Sequence, residues 1–310
     1  MMRVAVIGAG IAGLACARRL ADAGLAPVVF DKGRGIGGRL ATRRVDGLQF
    51  DHGAQYVTAR DAAFAAVLRD MQTSGAAGLW HDGSGEAHMV GIPGMSALAR
   101  ALASGLDLRQ RVQVASVRGA SGQWSVEGDG WHNTFDRVVL TVPAPQVAGL
   151  LGADHPLVAK LSGVVMAPCL TLMAASHPPP AFLTDKDPNG PLAWIAADTS
   201  KPGRPQGGST TWVAQASPAF SAAHLEDDMP TTVARMLPLL CDRLGVAPAQ
   251  ITHASAHRWR FARVTSALGQ PFLTEERTLF VGCDWCLGPR VEAAWQSGDA
   301  MGRAVLGGMA

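Results

Sequence analysis

Three glycines near the start of the chain, Gly8, Gly10 and Gly13, have the spacing that phosphate binding requires. The first permits a tight turn, the second lets backbone approach a pyrophosphate, and the third lets a helix pack closely on the strand before it. A helix beginning there would offer free N–H groups around Ile11, Ala12 and Gly13, and a partial positive charge, to the phosphates. Asp31 lies about 20 residues further on, where a carboxylate accepts hydrogen bonds from ribose hydroxyls. An acid there favours an unphosphorylated ribose, so FAD or NAD is expected rather than NADP. Near the other end, a strand-like run from Thr278 stops at Gly282-Cys283-Asp284. Gly288-Pro289-Arg290-Val291 then reads as a helix start with proline near its first turn. Such a helix end would aim N–H groups at a developing negative charge.

Other constellations carry less. Cys283 and Cys286 form a C-x-x-C, but no second cysteine pair completes a four-ligand zinc site, so packing residues and no metal are expected. The nine histidines make no Ser/His/Asp arrangement and no G-x-S-x-G occurs, so no catalytic residue is assigned. His52 and His257 are read as hydrogen-bonded structural residues that could lie near a bound ring. Arg258, Arg260 and Arg263 either meet substrate phosphates or form a solvated strand edge.

The elements that must position these groups are legible in outline. Residues 3–7 read as a short buried strand, 14–23 as a helix with Arg18, Arg19 and Asp22 on its polar face, and 27–30 as a second strand. Strand, glycine turn, helix, strand and acid together make a dinucleotide fold. The apolar start imitates a secretory signal, but three glycines interrupt it and Arg18-Arg19 stand where cleavage would occur. No stretch suits a bilayer, which wants about 20 apolar residues. The chain has 310 residues, 48% of them hydrophobic, enough for a sizeable core, with a net charge of +2 that gives no footprint for nucleic acid or membrane. Five scattered cysteines make no disulfide framework and suit a reducing compartment, so a soluble cytoplasmic protein is expected. Helices are expected at 61–71, with an acidic start, at 94–106 and at 231–244. Strands are expected at 111–117, 123–127, 135–142, 169–175, 192–196, 210–215 and 251–259. The runs His177-Pro178-Pro179-Pro180 and Pro202-Gly203-Arg204-Pro205 read as surface turns.

The run from Asp31 through Lys32 to Gly37-Gly38-Arg39 resembles the flavin-containing amine oxidase superfamily, in which the arginine reaches the pyrophosphate. In flavoproteins of that kind the acid of a terminal Gly-x-Asp, here Asp284, accepts hydrogen bonds from the ribityl chain, which favours FAD over NAD. The blocks from Phe50 to Arg60, Gly94-Met95-Ser96, Ser200-Lys201-Pro202-Gly203-Arg204, His257-Arg258-Trp259 and Gly282 to Leu287 are together similar to bacterial renalase-type flavoproteins, in that family's order.

The resemblance implies an α/β chain: a Rossmann-like FAD-binding domain built from both chain ends (1–60, 94–148 and 272–310). An inserted α+β substrate domain with an antiparallel sheet (61–93 and 149–271) completes it. It implies non-covalent FAD, since 257–271 contains no cysteine for a linkage. FAD contacts are implied for Gly8, Gly10, Ile11, Ala12, Gly13, Asp31, Lys32, Gly38, Arg39, Gly53, Ala54, Gln55, Tyr56, Val112, Asp284, Arg290 and Val291, with adenine near the strand after Val112. Substrate contacts are implied for Arg60, Ser96, Trp194, Gln215 and Trp259, the last as a ring-stacking group. The activity implied is oxidation of 2- or 6-dihydro isomers of NAD(P) to NAD(P)+, with O2 taking the electrons. Renalase relatives often carry histidine where this chain has Gln215. Amine oxidases commonly begin the final helix with a tyrosine that walls an aromatic cage, and Arg290 stands there instead. The alternatives are an amine oxidase or desaturase on the same scaffold, or a flavin-binding protein without catalysis.

Overall fold

The β-branched run after Arg3 and the Ala- and Leu-rich run after Gly10 fold into the strand and helix their patterns predict. A computed structural model describes residues 2–86, 88–177, 180–206 and 208–307. Pro178 and Pro179 of the proline run, and Met1 and 308–310 of the expected FAD domain, lie outside the described residues.

In chain order the elements begin β1 (Val4–Ile7), α1 (Ile11–Asp22), β2 (Val28–Asp31), β3 (Thr42–Val45), β4 (Leu48–Asp51), α2 (Ala62–Thr73), β5 (Ala77–Trp80) and β6 (His88–Gly91). Then follow α3 (Ser96–Ala103), β7 (Asp107–Gln110), β8 (Val114–Ala120), β9 (Gln123–Gly128), β10 (Trp131–Phe135), β11 (Arg137–Leu140), α4 (Ala144–Leu151) and α5 (Pro156–Ala159). The remainder is β12 (Val165–Ser176), β13 (Thr184–Lys186), β14 (Leu192–Ala197), β15 (Thr210–Ala216), α6 (Pro218–Ala223), α7 (Met229–Leu244), β16 (Ile251–Ser266), β17 (Leu273–Glu275), β18 (Leu279–Val281) and α8 (Val291–Gly307).

Strands from both chain ends form one six-stranded sheet in the order β17-β18-β11-β1-β2-β7, parallel except for β17. Helices α1, α3 and α8 pack together beside it. The meander β8-β9-β10 lies against β2, where Phe30 stacks on Trp131 with ring centroids 5.2 Å apart. The second sheet is antiparallel, in the order β13-β14-β15-β12-β16. One face buries Leu170, Leu172, Ile195 and Trp212 against Met236 and Leu240 of α7. Alternation sends Met173 and Val213 to the other face, where Phe50 of the β3–β4 hairpin covers them. The fold is thus mixed α/β, with a Rossmann-like domain and a separate antiparallel sheet. Among the described residues no helix is long and apolar enough to cross a membrane.

Several expectations change. The run 135–142 is two strands: β10 ends the meander and β11 joins the parallel sheet, with Asp136 accepting from the Arg3 N–H between them. The strand expected from Arg111 starts at Val114, because Arg111 takes a left-handed φ of 60° in the turn that precedes it. The hairpins β3–β4 and β5–β6 and the edge strands β7 and β13 are too short to show a period. The Pro202–Pro205 stretch is the surface turn expected, with Gly203 and Pro205 exposed, but its cations point inward: Lys201 and Arg204 are 1% and 4% exposed.

Candidate active site

The glycine turn is constrained where the sequence said it would be. Gly8 has φ +109°, and a Cβ on Gly13 would lie 1.9 Å from the Gly8 carbonyl oxygen, so strand and helix meet backbone to backbone. Gly10 is different: a Cβ there would touch nothing within 4 Å, which leaves open space in front of the α1 N-terminus. That terminus has no side-chain cap and no acid in its first turn. Its first-turn N–H groups around Ile11, Ala12 and Gly13, which have no acceptor within the helix, therefore fit an anion. Gly38 faces the same turn, its would-be Cβ 3.6 Å from Gly10 Cα.

Asp31 braces both glycine turns, accepting from the N–H of Ala9 and of Gly33, each at 2.6 Å. A carboxylate has lone pairs for further donors, so a ribose remains compatible with these bonds. Val112 donates its N–H to the Asp31 carbonyl at 3.0 Å, bringing it beside the acid. Lys32 is exposed. Arg39 is held by Asp284: its guanidinium donates to both carboxylate oxygens at 2.6 and 2.7 Å and to the Ala262 carbonyl at 2.9 Å. Burial pulls the Arg39 pKa down, and Asp284 more than offsets it, so the guanidinium stays charged. The two residues the motifs placed on the pyrophosphate and the ribityl chain are thus each other's partners. Taken together, the open cradle at Gly10, the uncapped helix and the paired Arg39 and Asp284 fit a flavin dinucleotide.

The face of the second sheet left free of α7 supplies the other side. Trp194, Gln215, Thr171 and His257 form one row across β14, β15, β12 and β16, and Trp259 pairs opposite Cys169 in the next. Gln215 Nε2 donates to the Gly53 carbonyl at 2.7 Å, and Trp259 Nε1 to that of His52 at 2.8 Å. The His52 ring stacks on Trp259 at 5.3 Å and meets the edge of His257 at 4.8 Å. Arg43 Nη2 lies 3.5 Å from His257 Nδ1. Burial first, then His257 and Arg43, push His52 down to about 4; burial and Arg43 push His257 down to about 4. Both imidazoles are neutral at physiological pH. Tyr56 stacks on buried His88 at 3.6 Å and tilts against Trp194 at 5.7 Å. Among the described residues, the buried His52 Nδ1 and Trp194 Nε1 have no hydrogen-bond partner.

Gly53, Ala54, Gln55, Tyr56, Trp194, Gln215 and Trp259 are therefore brought together, and Ser96, Arg60 and Arg290 stand apart. The Ser96 hydroxyl accepts from Arg100 at 2.9 Å and its N–H donates to Thr42. The N–H groups of Arg60 and Asp61 donate to buried Glu292 at 2.6 and 2.7 Å. Arg290, just before Val291 starts α8, lies 3.5 Å from Glu292 and its side chain is 40% exposed. Alternation likewise turns Arg258 to the Leu225 carbonyl and Arg260 to Glu226, away from the ring-lined face. Cys283 and Cys286 are buried packing groups; burial pushes Cys283 well up and Cys286 to about 12. Among the described residues no cluster of His, Cys, Asp and Glu could hold a metal.

Sequence reasoning missed the buried group behind Gly53, in which Asp51 and Asp198 meet Lys201 and Arg204. Its signal was two cations of one sign inside a Pro-Gly turn, which a solvated loop explains equally well.

Residues 6–71 match the NAD(P)-binding Rossmann-like domain family, and residues 62–306 match the family described as flavin containing amine oxidoreductase. A 4,4'-diapophytoene desaturase (4,4'-diaponeurosporene-forming) of Staphylococcus aureus is 43% identical over 73 residues, covering 24% of this chain and 14% of that protein. Among solved structures, a provisional protoporphyrinogen oxidase from Exiguobacterium sp. 255-15 superposes with a TM-score of 0.80 at 13% identity, over 98% of each chain. A putrescine oxidase double mutant superposes at 0.77 with 14% identity, over 99% of each. At these identities the structural likeness establishes the fold.

Proposed function

The chain belongs to the flavin containing amine oxidoreductase family, and from that premise we propose that it is an FAD-dependent oxidase of 2- or 6-dihydro isomers of NAD(P). The products would be NAD(P)+ and, with O2 as acceptor, hydrogen peroxide. In this reading residues 1–60, 94–148 and 272–310 hold the FAD, and 61–93 and 149–271 face the donor in a cytoplasmic protein with five free thiols.

The observation that carries the reading is the character of the sheet face: flat rings, two neutral imidazoles and the Arg43 guanidinium. Carboxylates on the adjoining segments are already engaged, Asp51 by Arg204, Asp284 by Arg39, and Glu292 by backbone N–H groups. An ammonium substrate meets the Arg43 cation there and finds Asp51, Asp284 and Glu292 already paired, whereas a nicotinamide ring with anionic phosphates is tolerated. Bound FAD would supply the two-electron acceptor and the route to O2. A dihydropyridine becomes aromatic as it loses hydride, so the protein needs to align it and exclude water more than to supply a base. Gln215 suits that task, since it donates to Gly53 and has no titrating proton of its own.

Anaerobic mixing of the FAD-loaded protein with each donor tests the reading. The 2- and 6-dihydro isomers should bleach the flavin quickly; 4-dihydro NADH, putrescine and other amines should bleach it slowly. Rapid bleaching by an amine and none by the isomers would move the chain to the amine oxidase reading.

A further inference from the structure

Asp51, Asp198, Lys201 and Arg204 are each 4% exposed or less, and the turn carrying the last three packs against β15 and against β4 of the β3–β4 hairpin. Lys201 Nζ donates to Asp198 Oδ1 at 2.6 Å and to Gln55 Oε1 at 3.2 Å, and lies 5.2 Å from the centre of the Trp80 ring. Arg204 donates to Asp51 Oδ2 and, at 2.8 Å, to the Gly91 carbonyl. Asp51 also accepts from the Thr42 hydroxyl and the Met95 N–H. Two acids and two bases cancel, yet such a network is often no more stabilising than apolar groups of equal volume. Stability alone does not account for it.

What the network holds accounts for it better. Gln55, accepting from Lys201, turns its Nε2 back onto the carbonyls of Asp51 and Gly53. The Gly53 carbonyl accepts Gln215 as well, from the ring-lined sheet face. Gly53 itself is pressed onto Arg39: a Cβ would lie 1.9 Å from the Arg39 carbonyl oxygen, which also accepts the Ala54 N–H at 2.8 Å. Arg39 grips Asp284. A continuous polar path therefore joins Lys201 to Asp284 through Gln55, Gly53 and Arg39, and His52 is carried on it beside Trp259.

We propose that Lys201 is a positioning residue for the flavin reaction, fixing through Gln55 the Gly53 carbonyl and segment 52–56 at the seam between the two sheets. The proposal rests on the reading that this segment faces the flavin. With Lys201 gone, the Gln55 amide loses the donor that sets its orientation, and the Gly53 carbonyl is held from the sheet side alone. A misplacement of about 1 Å can cost up to about a hundredfold in rate.

Lys201→Met and Gln55→Leu, made in the full chain and loaded with FAD, test it. Each should lower the limiting rate of anaerobic flavin reduction about tenfold, leave the donor dissociation constant within about twofold, and shift the visible flavin band and the midpoint potential measured by dithionite titration. Gln55→Leu leaves the four charges in place, so it decides the matter if Lys201→Met does not fold. Loss of melting temperature with wild-type band, potential and rate would make Lys201 a structural residue only and overturn the proposal. If no dihydropyridine reduces even the wild-type flavin, the proposed function falls, and the band and potential still decide this inference.

Discussion

At the scale of single residues, neutral imidazoles and paired charges govern what the site does with pH and with its cofactor. His52 and His257 titrate near 4, against about 6.5 in an unfolded chain. Between those values the unfolded chain takes up protons that the native protein refuses, so stability falls as pH drops through the window, and the loss is complete below about 4. The melting temperature should accordingly fall less steeply from pH 6.5 to 4 in His52→Asn than in the parent; equal slopes would show that His52 is not buried neutral. Asp284→Ala removes an acceptor expected to meet the ribityl chain and also strands the Arg39 guanidinium. Charge-assisted bonds contribute about 1.5–3 kcal/mol and breaking a buried pair costs about 3–5 kcal/mol, so FAD affinity should drop at least about tenfold and the melting temperature with it. Equilibrium dialysis returning parental affinity from a folded variant would remove Asp284 from the site. Asp31 and Asp284 could be picked out in the sequence because one ends a strand and the other follows one closely, each at a fixed distance from glycines. The partners of these acids could not, since the N–H groups of Ala9 and Gly33 and the side chain of Arg39 meet them only once the turns have closed.

At the scale of elements, the two chain ends are joined by one helix pair. A Cβ on Gly298 of α8 would lie 2.0 Å from the Ala12 carbonyl oxygen of α1, and one on Gly302 would meet Arg19 at 2.9 Å. Glycine here is a matter of approach, not of φ, and it lets α8 settle against the helix whose N-terminus faces the phosphate cradle. Gly298→Ala should force the helices apart, cost about 1–3 kcal/mol in urea unfolding, and weaken FAD binding through the displaced N–H groups of α1. A variant with the parental urea midpoint and FAD affinity would show that the helices do not meet there in solution. Long periodic elements such as α1, α2 and α7 could be read directly; Asp61 was legible as the acidic start of α2, and the fold makes it the cap, accepting from Phe64 at 2.9 Å. Among the strands of three or four residues, β1, β2 and β18 were legible beside their glycine motifs, whereas β5 and β13 are too short to show alternation and have no such motif to mark them. Which face of β16 would turn to the flavin was equally unreadable: His257 and Trp259 alternate with Arg258 and Arg260, and only the register against β12 assigns them to opposite sides.

At the scale of the whole molecule, the cofactor cradle is made of segments far apart in the chain, since α1, Arg39 and Asp284 come together only when both ends have folded into one sheet. A cofactor held that way should be lost when the sheet opens, unless a bond ties it to the polypeptide. Cysteinyl attachment would need a thiolate, and burial works against every candidate: Cys169 is pushed up to about 11, Cys286 to about 12, Cys16 and Cys283 further, and Cys241 upward as well. The protein as purified should therefore be yellow and yield all its flavin to the supernatant on acid or heat precipitation; flavin remaining with the pellet would show a covalent link. The same logic fixes the sign of a second readout. FAD that binds the folded chain and not the unfolded one adds about 2.7 kcal/mol at a free concentration a hundred times its dissociation constant. The melting temperature should then climb steadily with added FAD in the stripped protein, and should not climb in a variant whose cradle at Gly10 is filled by Gly10→Val, because a Cβ there meets no protein atom within 4 Å and would take up the open space in front of α1 that the ligand needs.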